Sequence, residues 1–235
     1  MSLYDNSKRE MTISPGCPWY NAQQTLGAPN VNWCEETSCS YINEPANTWS
    51  NLGFLIAAIL IIRQFKRSEL QLFGWVVFVM GLFSAIYHAT NNYGTQHLDF
   101  LGMSLMISAV LAIRLKGTIK TGTKTLFAIF LIANLITLGL LDILDLPIQL
   151  LLLINAAPII SIDLFLGFKQ KKLHQYGSFA IALILLIAAQ IFAQIDLKRI
   201  YCEPENLIMH GHVAWHILCA LAMYFIAKHL NKTTA

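Results

Sequence analysis

Long apolar runs recur along the chain, separated by short polar stretches, and their length predicts helices rather than strands. Seven runs stand out, at residues 48–62, 70–89, 98–113, 126–141, 148–168, 176–195 and 210–227. At about 1.5 Å of rise per residue each approaches the ~30 Å hydrocarbon core of a bilayer. The pattern predicts an all-α integral membrane protein, a seven-transmembrane helix bundle preceded by an ordered polar segment. Residues 1–46 form that segment, 47–228 the bundle and 229–235 a cytoplasmic tail. Turn signals at Ser14-Pro15-Gly16 and Gly27-Ala28-Pro29-Asn30 mark the polar segment. It lacks the apolar h-region of a cleavable signal peptide, so it is expected to stay in the mature protein.

Composition agrees: of 235 residues 56% are hydrophobic and 12% charged, and the mean hydropathy is +0.54. These values exclude an ordinary soluble domain. Charge then sets orientation, because positively charged loops stay in the cytoplasm. With seven spans, one side carries Arg63, Lys66, Arg67, Arg114, Lys116, Lys120, Lys124, Lys169, Lys171, Lys172, Lys228 and Lys232; the other carries only Lys8, Arg9, Lys198 and Arg199. The N-terminus is expected outside, in periplasm or lumen, and the C-terminus in the cytoplasm. Loop charge also accounts for the net +3, so no nucleic-acid partner is implied. No obligate protein partner is inferred.

Cys17, Cys34, Cys39 and Cys202 fall on the outer side, where disulfides persist, and Cys219 lies inside a helix. At least one bridge is expected, with three pairings open.

The chemistry concentrates in a few polar residues at helix ends. Ser84 and His88 are four residues apart on the second span, as are His212 and His216 on the seventh, so each pair shares a helix face. Asp99 opens the third span after a turn at residues 90–96, and His212 opens the seventh on the same side of the membrane. All five residues are therefore expected at one depth. Polar groups are costly there, and several together point to function. Alone, a histidine or serine in a membrane helix more often ties helices together, and a single His-x-x-x-His pair is a common pattern. Agreement across three helices favours chemistry.

Three neutral imidazoles with a fourth position left for water describe a catalytic zinc site. His88, His212 and His216 are the expected ligands. Asp99 is placed to take and return a proton and Ser84 to stabilise an oxyanion, which implies hydrolysis of an amide or ester. His97 and His210 are the nearest competitors and are read as surface or supporting residues. His174 and His229 lie at the opposite side.

These residues resemble a known family. Ser84-Ala85-Ile86-Tyr87-His88, Leu98-Asp99 and Gly211-His212-Val213-Ala214-Trp215-His216 are similar to the three motifs of alkaline ceramidases, whose superfamily also holds the adiponectin and progestin receptors and hemolysin-III-like proteins. Asn32-Trp33-Cys34-Glu35-Glu36 and Asn47-Thr48-Trp49-Ser50-Asn51 resemble the alkaline-ceramidase N-terminal pattern in particular. The resemblance implies seven helices around zinc, hydrolysis of N-acyl sphingoid bases and a lipid-exposed entrance for the membrane substrate. It also implies calcium at Asn32, the Trp33 carbonyl, Glu35, Thr37 and Glu44. This chain has Asn32 where the family pattern has Asp and Thr37 where it has Asn, which removes a carboxylate. Further, it implies a Cys34–Cys202 bridge, leaving Cys17 with Cys39.

Two other enzyme-free readings compete, along with hydrolysis of another N-acyl lipid. A seven-helix lipid or ligand receptor of the same superfamily would not need every catalytic residue retained. A haem protein would use facing histidines as axial ligands. A retinal protein is disfavoured, since no span carries a lysine away from its ends.

Overall fold

The computed structural model describes residues 10–116, 121, 123–144, 148–169 and 176–233. His174 and the loop residues Lys8, Arg9, Lys120, Lys171 and Lys172 lie outside the described residues. Within them the chain is helical, with no strand. In the N-terminal segment α1 spans Tyr20–Leu26. The first apolar run forms α2 (Pro45–Ser50) and α3 (Leu52–Gln64), joined at Asn51. The later runs form α4 (Ser68–Thr90), α5 (Tyr93–Lys116), α6 (Thr123–Leu144), α7 (Ile148–Lys169), α8 (Gly177–Leu197) and α9 (Gly211–Thr233).

Among the described residues six stretches are long and apolar enough to cross a membrane: Pro45–Gln64, α4, α5, Leu152–Lys169, α8 and α9. In α6 the described apolar helix, Ala128–Leu140, is shorter. The chain is thus an all-helical multi-pass membrane protein.

Three boundaries differ from the hydropathy pattern. The turn expected at residues 90–96 is only Asn91 and Asn92. Asn91 ends α4 in the left-handed region (φ 44°), and the Asn92 side-chain oxygen accepts from Thr95 N at 3.0 Å, starting α5 at once. His97 and Asp99 consequently sit inside α5 rather than before it or at its start. At the C-terminal end α9 continues through residues assigned to a tail, with His229 and Leu230 buried. Arg114, counted as a loop charge, is a buried residue of α5.

Packing places α9 at the hub. It lies against α8 and α3, α4 packs on α3 and α5, and α6 and α7 attach through α5. Close approach requires small residues at the key crossings. A Cβ on Gly102 would stand 3.0 Å from the Met80 Cα, and one on Gly211 would stand 2.4 Å from the Phe192 carbonyl oxygen. The second contact seats the start of α9 directly against α8. Phe54, Ile61, Leu70, Phe73 and Val77 fill the core between α3 and α4. Exposed Ile56, Leu60, Trp75, Ile184 and Ile187 face outward, where lipid would cover them.

The polar N-terminal segment is bolted across the helix ends. Asn43 N donates to Ala89 O and Glu44 N to His88 O, while buried Gln23 donates to Asn91 O at 2.6 Å. Disulfides join Cys17 to Cys39 and Cys34 to Cys202.

Candidate active site

The two histidine helices bring their imidazoles together beneath this segment. His88 stands in the last turn of α4, and His212 and His216 occupy the first turns of α9. All three are buried, and one nitrogen from each lies within 4.8 Å of the others. His88 Nε2 and His212 Nε2 are 3.1 Å apart.

The outer nitrogens are already engaged. His88 Nδ1–H donates to Glu44 Oε2 at 2.6 Å. Ser50 Oγ gives its proton to Asn47 O and accepts from His216 Nδ1–H at 2.6 Å. These bonds fix tautomers in which the Nε2 lone pairs turn inward. His212 is oriented differently. The Trp33 indole stacks on it at 3.5 Å between ring centroids, and its backbone N–H donates to Asp196 Oδ2 at 2.9 Å.

Ser84 and Asp99 join the cluster. Ser84 Oγ is 3.5 Å from His216 Nε2 and sits beside the Asp99 carboxylate. Asp99 is buried, and its Oδ1 has no hydrogen-bond partner among the described residues, which leaves an acceptor for a water or substrate proton. A cavity of about 30 Å³, large enough for a water, lies among Trp33, Tyr87, Gln96, Asp99, His212 and His216.

The donor set fits zinc. Two nitrogens bound to zinc at 2.0–2.1 Å in a tetrahedron stand about 3.3 Å apart, close to the His88–His212 separation, and each outer nitrogen of His88 and His216 has the hydrogen-bonded support such ligands use. Burial pushes the Glu44 carboxyl up to about 8, with the Asn47 side chain pulling against it. A cation among the imidazoles would draw it back down.

Several oxygens of the calcium set already hold hydrogen bonds to other partners. Both Glu35 oxygens accept backbone N–H groups at the start of α2, from Ala46 at 2.7 Å and Asn47 at 2.8 Å. Burial outweighs those bonds and raises the Glu35 carboxyl to about 7, as it does for Glu44. Glu44 Oε2 accepts from both His88 and Asn47. Thr37 Oγ1 accepts from Asn91, and the Arg199 guanidinium donates to the Trp33 carbonyl at 3.3 Å and the Asn32 side chain at 3.5 Å. A fixed positive charge therefore occupies the side where the cation was expected.

Of the competing histidines, His97 bonds the Tyr93 carbonyl at 2.9 Å in the first turns of α5. His210 is buried near Cys34 and Asp196. That second cluster is a brace, because Cys34 is in a disulfide and the Asp196 oxygens hold Cys34 N and His212 N.

Sequence reasoning missed the supporting residues. Ser50 stood in a motif without a role, and Glu44 was assigned to calcium. Tyr87, whose hydroxyl accepts from Gln96 at 3.1 Å, and Asp196 were passed over. The cost of burying Asp196 near a helix end was the one signal that could have found it.

Below the histidines an apolar chamber of about 530 Å³ runs between α5, α7, α8 and α9. It shares Met103, Leu152, Gln190 and Trp215 with the small cavity at the histidines. Because α7 packs on α5 with no substantial contact to α8 among the described residues, the chamber has a side that faces lipid.

Fold and site together define a polytopic helical membrane protein with a buried three-histidine centre above a hydrocarbon-lined chamber. The ceramidase family profile matches residues 27–235, and the chain belongs to that family. Comparison with curated proteins finds no match. Family membership supports a ceramide-hydrolysing function and a lipid substrate.

Proposed function

We propose that the chain is a zinc-dependent intramembrane amidohydrolase that cleaves N-acyl sphingoid bases to a fatty acid and a sphingoid base. The observation that carries this reading is the convergence of one ring nitrogen from each of three imidazoles beside Ser84 and Asp99, at the head of a chamber suited to a hydrocarbon chain.

His88, His212 and His216 would hold the zinc, which supplies a water made nucleophilic near neutral pH. Asp99 Oδ1, which is buried beside Ser84, would accept a proton from the attacking water. Ser84 Oγ–H donates to the developing oxyanion, in a buried site where such a bond is strong. Asp99 then returns the proton to the leaving nitrogen as the C–N bond breaks, so the amine departs neutral. Buried Phe100 and Met103, with partly buried Trp215, limit bulk water around the cavity. Glu44, Ser50 and Trp33 keep the imidazoles in register.

The bundle is read as seven spans with the N-terminus outside. The distribution of Lys and Arg supports that orientation, as do two disulfides at the histidine end, since they need an oxidising compartment.

The test is metal analysis together with hydrolysis of an N-acyl lipid panel by wild type and His212→Ala. Wild type is expected to carry zinc and cleave sphingoid amides, and the variant to lose both. A variant that keeps zinc and turnover would sink the mechanism. Cleavage of other N-acyl lipids in preference would reassign the substrate, and lipid binding without hydrolysis would favour a receptor.

A further inference from the structure

A further buried polar cluster lies at the far end of the chamber and has no part in the chemistry above. Asp163 on α7 accepts from Arg114 Nη2 of α5 at 2.5 Å and from His229 Nε2 of α9 at 2.9 Å. Arg114 also donates to Thr233 Oγ1 at 3.1 Å and to the Tyr176 hydroxyl at 3.2 Å. The Tyr176 and Phe179 rings cover His229, with centroids 4.9 and 5.0 Å away. Arg114, Asp163 and His229 are each 2% exposed or less, so the cluster is closed to solvent and joins α5, α7 and α9, with Tyr176 at the head of α8.

Both Asp163 and His229 line the chamber whose upper end opens at the histidines. The thirteen residue steps along α9 from His216 to His229 set its depth at about 20 Å. Its walls are apolar, from Met106 and Val110 to Ile159 and Met223. Hydrocarbon gains from every wall it touches but can make no hydrogen bond to the floor. To pass the floor, a chain would have to part a charged network and leave its members buried and unpaired, which buried ion pairs resist strongly.

We propose that Asp163 and His229, held from behind by Arg114, form the floor of the chain-binding chamber and set the longest hydrocarbon chain that the protein accepts. This rests on the proposed reaction and adds its chain-length specificity. Below the limit, each methylene buried adds up to about fourfold in kcat/KM. Beyond it, overpacking lowers kcat/KM by roughly tenfold or more.

The experiment compares wild type, His229→Ala and Ala156→Phe on N-acyl sphingoid bases varied separately in acyl and sphingoid length. Retention of saturated fatty acids of graded length, read by native mass spectrometry, measures the chamber without catalysis. His229→Ala keeps the Arg114–Asp163 pair and deepens the floor, so its limit is expected to move to longer chains. Ala156 lines the chamber about two turns above Asp163 on α7, so Phe there is expected to shift the limit to shorter chains even if His229→Ala does not fold. Hydrolysis by wild type with the same length limit in every folded variant would overturn the floor. Retention limits that shift as expected, with no hydrolysis of any sphingoid amide by wild type, would uphold the floor and overturn the reaction.

Discussion

Replacing Glu44 with alanine tests whether the N-terminal segment serves the metal centre directly. Glu44 Oε2 accepts from His88 Nδ1 at 2.6 Å with both side chains buried, and no other hydrogen-bond partner reaches that nitrogen among the described residues. Glu44→Ala leaves a buried imidazole N–H unsatisfied, at a cost of about 1–3 kcal/mol. Loss of a ligand's supporting acceptor typically lowers metal affinity or activity 10- to 100-fold, or about 1.4–2.7 kcal/mol. The two estimates agree, so a weakening of zinc binding by one to two decades is expected. The backbone bond from Glu44 N to His88 O survives the substitution, so the segment should stay docked. Glu44→Gln keeps an acceptor oxygen and should fall within about tenfold of wild type. The assay is zinc affinity by competition with a fluorescent chelator, beside turnover of a sphingoid amide. Wild-type zinc affinity and turnover in Glu44→Ala would refute the assignment. A loss of calcium binding with zinc affinity intact would return Glu44 to a cation site in the N-terminal segment.

Other outcomes follow from the same geometry. Asp99→Asn should keep its zinc and lose turnover by about 10²–10⁴-fold, as expected for a proton-transfer group; normal turnover measured on metal-loaded protein would remove Asp99 as the base. Excess calcium or a calcium chelator should leave the melting temperature unchanged, because both Glu35 oxygens, Glu44 Oε2 and Thr37 Oγ1 already accept hydrogen bonds and Arg199 supplies a positive charge there; a rise with calcium would contradict that reading. Cys202→Ser opens a closure of 168 residues and should lower stability by about 2–5 kcal/mol, seen as a lower melting temperature and faster proteolysis of the N-terminal segment; unchanged values would show that the polar network alone secures it.

The parts of this molecule governed by periodicity were legible in its sequence. Apolar runs located the helices, and the four-residue spacings of Ser84 with His88 and of His212 with His216 placed two pairs of side chains on inward faces. What escaped were groups whose roles depend on contacts between distant segments. Glu44 reaches His88 across 44 positions in sequence, and no local pattern distinguishes a carboxylate that supports an imidazole from one that binds a cation. The start of α5 escaped for a different reason. Residues 93–97 are polar, so hydropathy excludes them from the span, yet Asn92 caps them into helix and Gln96 is used there, accepting from Asn30 N and donating to Tyr87.

The same physics explains why only one of two buried polar clusters was visible. Burying charge in a membrane protein is costly at both ends of the chamber. At the histidine end that cost falls on paired residues within motifs, so spacing reveals it. At the other end it is divided among Arg114, Asp163 and His229, one from each of three helices. Two of these sit near the ends of apolar runs, where a positive or polar side chain is ordinarily explained by the membrane surface. Arg114 therefore counted as a loop charge and His229 as part of a tail, until their shared contact with Asp163 placed both inside the bundle. Asp163 is the residue that should have prompted the question, because an acid within an apolar run requires partners. A single acid signals that need without naming the residues that meet it, and here they come from positions 49 residues earlier and 66 later.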